Sequence, residues 1–393
     1  MAALFPVERA RGWSAAAATS VAILYGAYIL HTGPLLSSDS RTYSMWADTL
    51  LAARFNYQTY LTVQHFVVPP VLYVLWITVV ALSKVVLGEA WPTGIVFLNW
   101  LVASALVYGI ARVTARVTGS VIVGLVAVLL FAASFDVLLF LPYVLSDIMF
   151  MAISGAIVLA GLLVVGEPDR RARRRAIFAG TSMLLASCVF RPTAAPLVVF
   201  WCACLLVADQ RGLKAAHVWY AIAALAAVAA IAIVAHAALM QDPSRWPGGE
   251  SGWIRQLSNE SRKGIVVFGR PDTYVSPPRS LADFAGLTLT KWEYYFAPWM
   301  AGYSRFHKLA GAAFFLTAYT LSLVALFTSP RWRLTSLLVL YIGAFSLFHG
   351  VQQIDYDHRY RLPILLALSV LAALGLEQIA VRANPRAAPA VSS

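Results

Sequence analysis

GLLVVGEPDRRARRRA, residues 161 to 176, ends one long apolar stretch and begins another, with Arg170, Arg171, Arg173, Arg174 and Arg175 crowded between them. A helix of about 20 apolar residues crosses a hydrocarbon core, and arginines at the ends of such helices stay in the cytoplasm. The side on which these five fall therefore fixes how many crossings precede them. Eleven stretches approach spanning length: 13 to 31, 66 to 87, 93 to 111, 119 to 135, 148 to 166, 176 to 190, 193 to 208, 215 to 240, 308 to 328, 334 to 349 and 362 to 380. If all eleven crossed from a cytoplasmic start, the arginine cluster would land outside.

One earlier stretch must stay on the outer side, and 66 to 87 is the best candidate. It opens near Pro69-Pro70, carries Lys84 and follows a polar loop. Reading it as an interfacial or re-entrant helix leaves ten spans and brings Arg9, Arg11, Arg112, Arg116, the cluster, Arg211, Lys214, Arg331, Arg333, Arg382 and Arg386 to the cytoplasm. Few acidic residues oppose them there, as the positive-inside rule expects. The polar chemistry then gathers outside, in a first loop from 31 to 92, a large loop from 241 to 307, and short turns at 136 to 147 and 350 to 361.

Composition agrees. The 393 residues are 60% hydrophobic and 12% charged, with a mean hydropathy of +0.73, which excludes a soluble globular fold and predicts one integral, all-α membrane domain over 1 to 393. The net charge of +12 sits at the ends of apolar stretches, so membrane lipids rather than nucleic acid are the expected partner. Cys188, Cys202 and Cys204 lie in apolar runs and supply neither a disulfide framework nor a zinc site. The stretch from Trp13 to Leu30 reads as an uncleaved anchor.

In the first outer loop, Tyr43, Trp46, Ala47, Leu50 and Leu51 recur at helical spacing, predicting an amphipathic helix with Asp39 at its start. Asp39 is either its N-cap or a functional carboxylate. Asp136 and Asp147 flank the second outer turn, where a carboxylate is costly unless it is paired or lines a wet cavity. Carboxylates from two outer loops can converge on a substrate hydroxyl or a divalent metal; Asp39 and Asp147 would be the ligands of such a metal, and no other cofactor is implied. Arg191 tips a hairpin of apolar helices, and Asp355, Asp357, His358, Arg359 and Arg361 crowd the turn before the last stretch. Arginine's planar fork suits phosphate oxygens, which makes Arg191 and Arg359 candidate phosphate ligands, with Asp355 or Asp357 holding Arg359 at rest. Arg361 is expected to snorkel towards lipid head groups. Tyr43, His65, His358 and Tyr360 complete the set of candidate substrate contacts. The aromatics of 241 to 307, Trp246, Trp253, Tyr274 and Trp292 among them, suit sugar rings or a membrane interface.

The ordered set of Asp39 with Tyr43 and Ala47, Pro69-Pro70-Val-Leu-Tyr-Val-Leu-Trp76, Asp147, and Arg359-Tyr360-x-Leu-Pro363 resembles the GT-C superfamily of membrane glycosyltransferases. That superfamily includes protein O-mannosyltransferases and aminoarabinose transferases acting on lipid A. The resemblance implies two membrane-lying helices in the first loop, a polyprenyl-phosphate sugar as donor, and Asp39 as the carboxylate that orients or deprotonates the acceptor. It matches Asp147 to the family's second acidic position. Two places depart from the pattern: Ser40 follows Asp39 where many mannosyltransferases have an Asp-Glu pair, and no Glu-Lys precedes Pro69. Metal dependence does not follow from the resemblance.

The expected activity is glycosyl transfer, of a hexose or pentose, from a polyprenyl phosphate to a glycan, lipid or protein acceptor, at the periplasmic face of a bacterial inner membrane. A nucleotide-sugar donor has no cytoplasmic loop large enough to hold it. A lipid-linked polysaccharide polymerase or ligase would present similar outer arginines. A transporter or flippase of lipid-linked sugars is the further alternative, opposed by ionisable residues that cluster at span ends and by the lack of an internal repeat.

Overall fold

The structure, a computed structural model, describes residues 10–63, 73–209, 281–299, 303–352 and 358–384. Fourteen α-helices account for nearly all of the described residues, and the single β contact is an isolated bridge between Leu35 and Tyr143. In order they are α1 (Ala10–Thr32), α2 (Ser38–Ala52), α3 (Tyr57–Val63), α4 (Val74–Leu87), α5 (Trp91–Thr118), α6 (Val121–Ala132), α7 (Phe135–Phe140), α8 (Asp147–Gly166), α9 (Arg170–Cys188), α10 (Ala195–Asp209), α11 (Leu281–Phe296), α12 (Arg305–Thr328), α13 (Trp332–Gln352) and α14 (Leu365–Ala383). Six helical stretches among the described residues are long and apolar enough to cross a membrane: α1, the run from Val74 to Thr118, α8, α12, α13, and the run from His358 to Ala383. The chain is an all-α polytopic membrane protein. Nine of the ten expected spans fall on described helices, while 215 to 240 lies outside the described residues.

Apolar character around the full circumference marks a helix for the interior, and α8 and α14 take that place. Leu365 to Gly375 is an unbroken buried run, and most of α8 is covered as well. The outer helices turn apolar side chains outward, as Ile23 and Leu24 of α1, Phe178 and Leu185 of α9, and Leu316 and Phe327 of α12 do. In lipid, helices associate where small residues let backbones approach. Gly375 serves this purpose: a Cβ there would lie 1.9 Å from the Leu321 carbonyl, so α14 meets α12 backbone to backbone.

The helices alternate in direction, and their connections collect at two ends. At one end lie the arginine-rich turns, pinned by Arg116 to Glu167 and by Arg331, which pairs with Glu377 and donates to the Thr118 carbonyl at 2.8 Å. At the other lie the turns after α1, α6, α9 and α13.

There the polar bridge sets the first loop against the second. Leu35 donates to Pro142 O at 2.9 Å, Val144 donates back to Leu35 O at 3.0 Å, and the buried Asn99 amide of α5 holds Leu141 O and Tyr143 O at 3.2 and 2.9 Å. Four residues on from each side of this bridge stand Asp39 and Asp147. Helix α4, 14 residues and about 21 Å long, lies beside α2. It is tied there by Lys84, which reaches Asp48 at 2.6 Å and the Ser44 carbonyl at 3.2 Å.

Candidate functional site

Helix α2 begins with a capping box in which Ser37 Oγ accepts from the Ser40 amide at 3.2 Å and Ser40 Oγ accepts from the Ser37 amide at 2.9 Å. The box satisfies the helix start, so Asp39, in the first turn, is released from capping. Its carboxylate accepts from Arg359 Nη1 at 2.6 Å, across 320 residues of chain. Arg359 also donates to the Tyr360 hydroxyl at 3.2 Å. Asp147 likewise does not cap α8, whose start at Ser146 makes no side-chain capping bond. It pairs instead with Arg191, carried between α9 and α10.

The two ion pairs share one ring. Arg359 lies 5.1 Å and Arg191 5.6 Å from the Tyr360 ring centroid, and Arg191 also faces Phe150 at 5.7 Å. Cation–π attraction strengthens as the groups are desolvated, so Tyr360 joins two guanidinium groups that would otherwise repel. Tyr43, Trp46, Tyr73 and Trp76 form an aromatic wall beside them with centroid separations of 5.8 to 6.0 Å, and Trp76 continues to Phe190 at 5.8 Å. Burial pushes the Tyr43 and Tyr73 hydroxyls above their ordinary range, and the charges of Asp147 and Asp39 act on both in the same direction. Both tyrosines therefore present hydrogen-bond donors. Burial alone would lower Arg191, but the Asp147 charge together with Tyr73, Tyr43 and Tyr360 more than reverses it.

Exposure separates the two carboxylates. The Asp39 side chain is 39% exposed, whereas Asp147 is 2% exposed. Of the two, Asp39 is the one open to solvent. Around Asp147 several buried polar atoms lack a hydrogen-bond partner among the described residues, namely Asp147 Oδ2, Arg191 Nε, Ser146 Oγ and Trp76 Nε1. Such atoms are costly unless something polar fills the space beside them.

Of the residues expected from sequence, Asp39, Tyr43, Asp147, Arg191, Arg359 and Tyr360 come together. His65, Pro69, Pro70, Asp355 and Asp357 lie outside the described residues, as do Trp246, Trp253 and Tyr274. His358 turns away from Arg359, towards Asp136 and Arg361. The expectation that Arg361 snorkels is overturned: it is 1% exposed and grips Asp136 with two nitrogens. Sequence reading missed this pair, although the cost of an unpaired Asp136 near hydrocarbon was a signal that a buried partner exists. A divalent metal does not fit the described donors. Asp39 and Asp147 each already face a guanidinium, and among the described residues no three His, Cys, Asp or Glu side chains converge.

No protein-family model and no curated protein matches the sequence. Among solved structures, the crystal structure of ArnT from Cupriavidus metallidurans bound to undecaprenyl phosphate matches with a TM-score of 0.56 at 13% identity, over 95% of this chain. This chain spans 62% of that one. At this identity the likeness is one of fold, and it bears out the GT-C-like architecture that the resemblance implied.

Proposed function

We propose that the chain is a membrane glycosyltransferase that moves a sugar from a polyprenyl phosphate to a hydroxyl-bearing acceptor. The observation that carries this reading is the pair of arginine–aspartate bridges joined through Tyr360 beneath an aromatic wall. The structural neighbour's bound undecaprenyl phosphate supports the donor class, and the arginine distribution supports a site on the outer side of a bacterial inner membrane. In this topology 31 to 92 and 241 to 307 are outer loops and α4 lies along the interface.

At rest Asp39 is occupied by Arg359. A donor phosphate offers the guanidinium a second, bidentate acceptor, which draws Arg359 from Asp39 and frees the carboxylate. The acceptor hydroxyl then passes its proton to Asp39 while its oxygen attacks the anomeric carbon from the face opposite the phosphate. The carbon–oxygen bond to phosphate breaks, its electron pair stays on the phosphate, and Arg359 and Arg191 neutralise the charge that builds there. The sugar configuration inverts. Tyr43 and Tyr73, held protonated, donate to sugar hydroxyls.

The test is turnover by the purified full chain in nanodiscs, given undecaprenyl-phosphate-linked sugars and an envelope glycolipid extract. Acceptor-dependent release of undecaprenyl phosphate is the expected result. Failure of any such donor to bind or turn over would remove this reading.

A further inference from the structure

The turn that carries Arg359, His358–Ile364, is a 3₁₀ helix. With three residues per turn, side chains at i and i+3 eclipse, so His358 and Arg361 share one face while Arg359 and Tyr360 point elsewhere. The contacts follow this division. On the first face, Arg361 is buried with Nε and Nη2 on the two Asp136 oxygens, Nη1 donates to the Ala297 carbonyl, and Nη2 donates to His358 Nδ1 at 2.9 Å. The guanidinium sits 3.8 Å from the Phe315 ring centroid, and Tyr303 meets the His358 ring edge-on at 5.5 Å. On the other face, Arg359 meets Asp39, and Tyr360 meets Arg191 and His349.

Three elements thus converge on the rear of this short turn, α7 through Asp136, the residue after α11 through Ala297 and α12 through Phe315, and His358 of the turn itself completes the cluster. A 3₁₀ turn has poor internal hydrogen-bond geometry and would not by itself hold a long side chain in one direction. We propose that Asp136 and Arg361 are positioning residues that clamp this turn so that Arg359 is aimed at the donor phosphate, with His358 as the acceptor that fixes the roll of the Arg361 guanidinium. This role rests on the proposed function, since it presumes that Arg359 binds phosphate.

In the clamp His358 Nδ1 accepts a hydrogen from Arg361 and therefore carries none itself. An asparagine at 358 offers a carbonyl oxygen in a similar place, whereas phenylalanine keeps the ring shape and offers none.

The experiment uses the full chain in nanodiscs with two readouts, amide hydrogen exchange across residues 358 to 364 and the affinity for undecaprenyl phosphate itself. Asp136→Asn and the gentler Arg361→Lys are expected to speed exchange in this turn and to weaken lipid binding by roughly tenfold, as a displaced ligand group does. His358→Phe should show the same pattern, and His358→Asn should recover most of the loss. Faster exchange with unchanged affinity in the surviving folded protein, or neither change, would overturn the positioning role. A wild-type chain that binds no undecaprenyl phosphate would instead overturn the functional reading, and exchange would still show whether the clamp exists.

Discussion

Arginine–carboxylate pairs occupy both ends of the helix bundle, but they are built differently. At the arginine-rich end, Arg331 pairs with Glu377 and also covers the Thr118 carbonyl, one of the acceptors that α5 leaves unsatisfied at its C-terminus. Arg116 pairs with Glu167 where α8 gives way to α9, and its side chain remains 44% exposed. These pairs fasten helix ends to one another. At the other end, Asp39–Arg359 and Asp147–Arg191 meet around a tyrosine ring, beside buried polar atoms that lack partners among the described residues. Breaking a buried pair is expensive, while keeping one adds little net stability over an apolar replacement. Asp147–Arg191, retained at that cost with unsatisfied atoms beside it, is better explained by what it binds than by what it holds.

The sharpest contrast between the two ends is expected at Asp39. Asp39→Asn keeps the shape and removes the proposed base, so transfer should fall by about a thousandfold. Ser37 and Ser40 cap α2 without Asp39, so the folded yield and undecaprenyl phosphate binding should stay near wild type. Glu377→Gln at the other end should leave kcat unchanged. If both variants lost activity in step with folded protein, the two ends would not differ in kind. Next in size, Arg359→Lys retains the charge and loses the fork, and kcat/KM for the donor should drop roughly a hundredfold. An unaltered kcat/KM would shift the phosphate site to Arg191.

The two ends also differ in how far they were legible. Apolar stretches and arginine counts found the helices, because hydrophobic length and charge bias are properties of local sequence. Asp39 and Arg359 were each singled out, yet their contact spans 320 residues and no local pattern encodes it. Asp39 also read as a cap, since Ser37, Ser38 and Asp39 are all capping residues; the structure gives that task to Ser37 and Ser40. Arg361 departs from its expected place for a different reason. Snorkelling is the ordinary fate of an arginine at a span end, and only the eclipsed geometry of a 3₁₀ turn sets it with His358 on a face apart from Arg359.

A smaller effect should come from Lys291, which lies with Leu287 and Tyr295 on the buried face of α11 and has no ion-pair partner among the described residues. Burial lowers its pKa from 10.5 to about 8. The folded state therefore resists protonation more than the unfolded chain does. The cost is fully present below about 8, and wild-type stability rises as pH climbs from there towards 10.5. Lys291→Met should raise Tm near neutral pH, by at most about 3 kcal/mol in stability, and this gain should shrink as the pH approaches 10. A gain independent of pH would show that packing, rather than charge, sets the difference.

The least change is expected at the arginine-rich end, where Arg331→Gln tests whether charge there is purely mechanical. The substitution leaves Glu377, with its side chain 14% exposed, short of its cation, and uncovers the Thr118 carbonyl. Partial exposure lets water replace much of what is lost, so the expected cost is about 1–2 kcal/mol. It should appear as a lower Tm, with KM for the donor and kcat of the remaining folded protein unmoved, because Arg331 is separated from the turns around Tyr360 by the lengths of α13 and α14. Moderate salt should narrow the difference between variant and wild type, as it screens the exposed part of the pair. A fall in kcat at unchanged Tm would mean instead that the arginine-rich end communicates with the site through α13, whose His349 meets Tyr360, or through α14, whose buried run from Leu365 to Gly375 starts directly after the turn that holds Arg359.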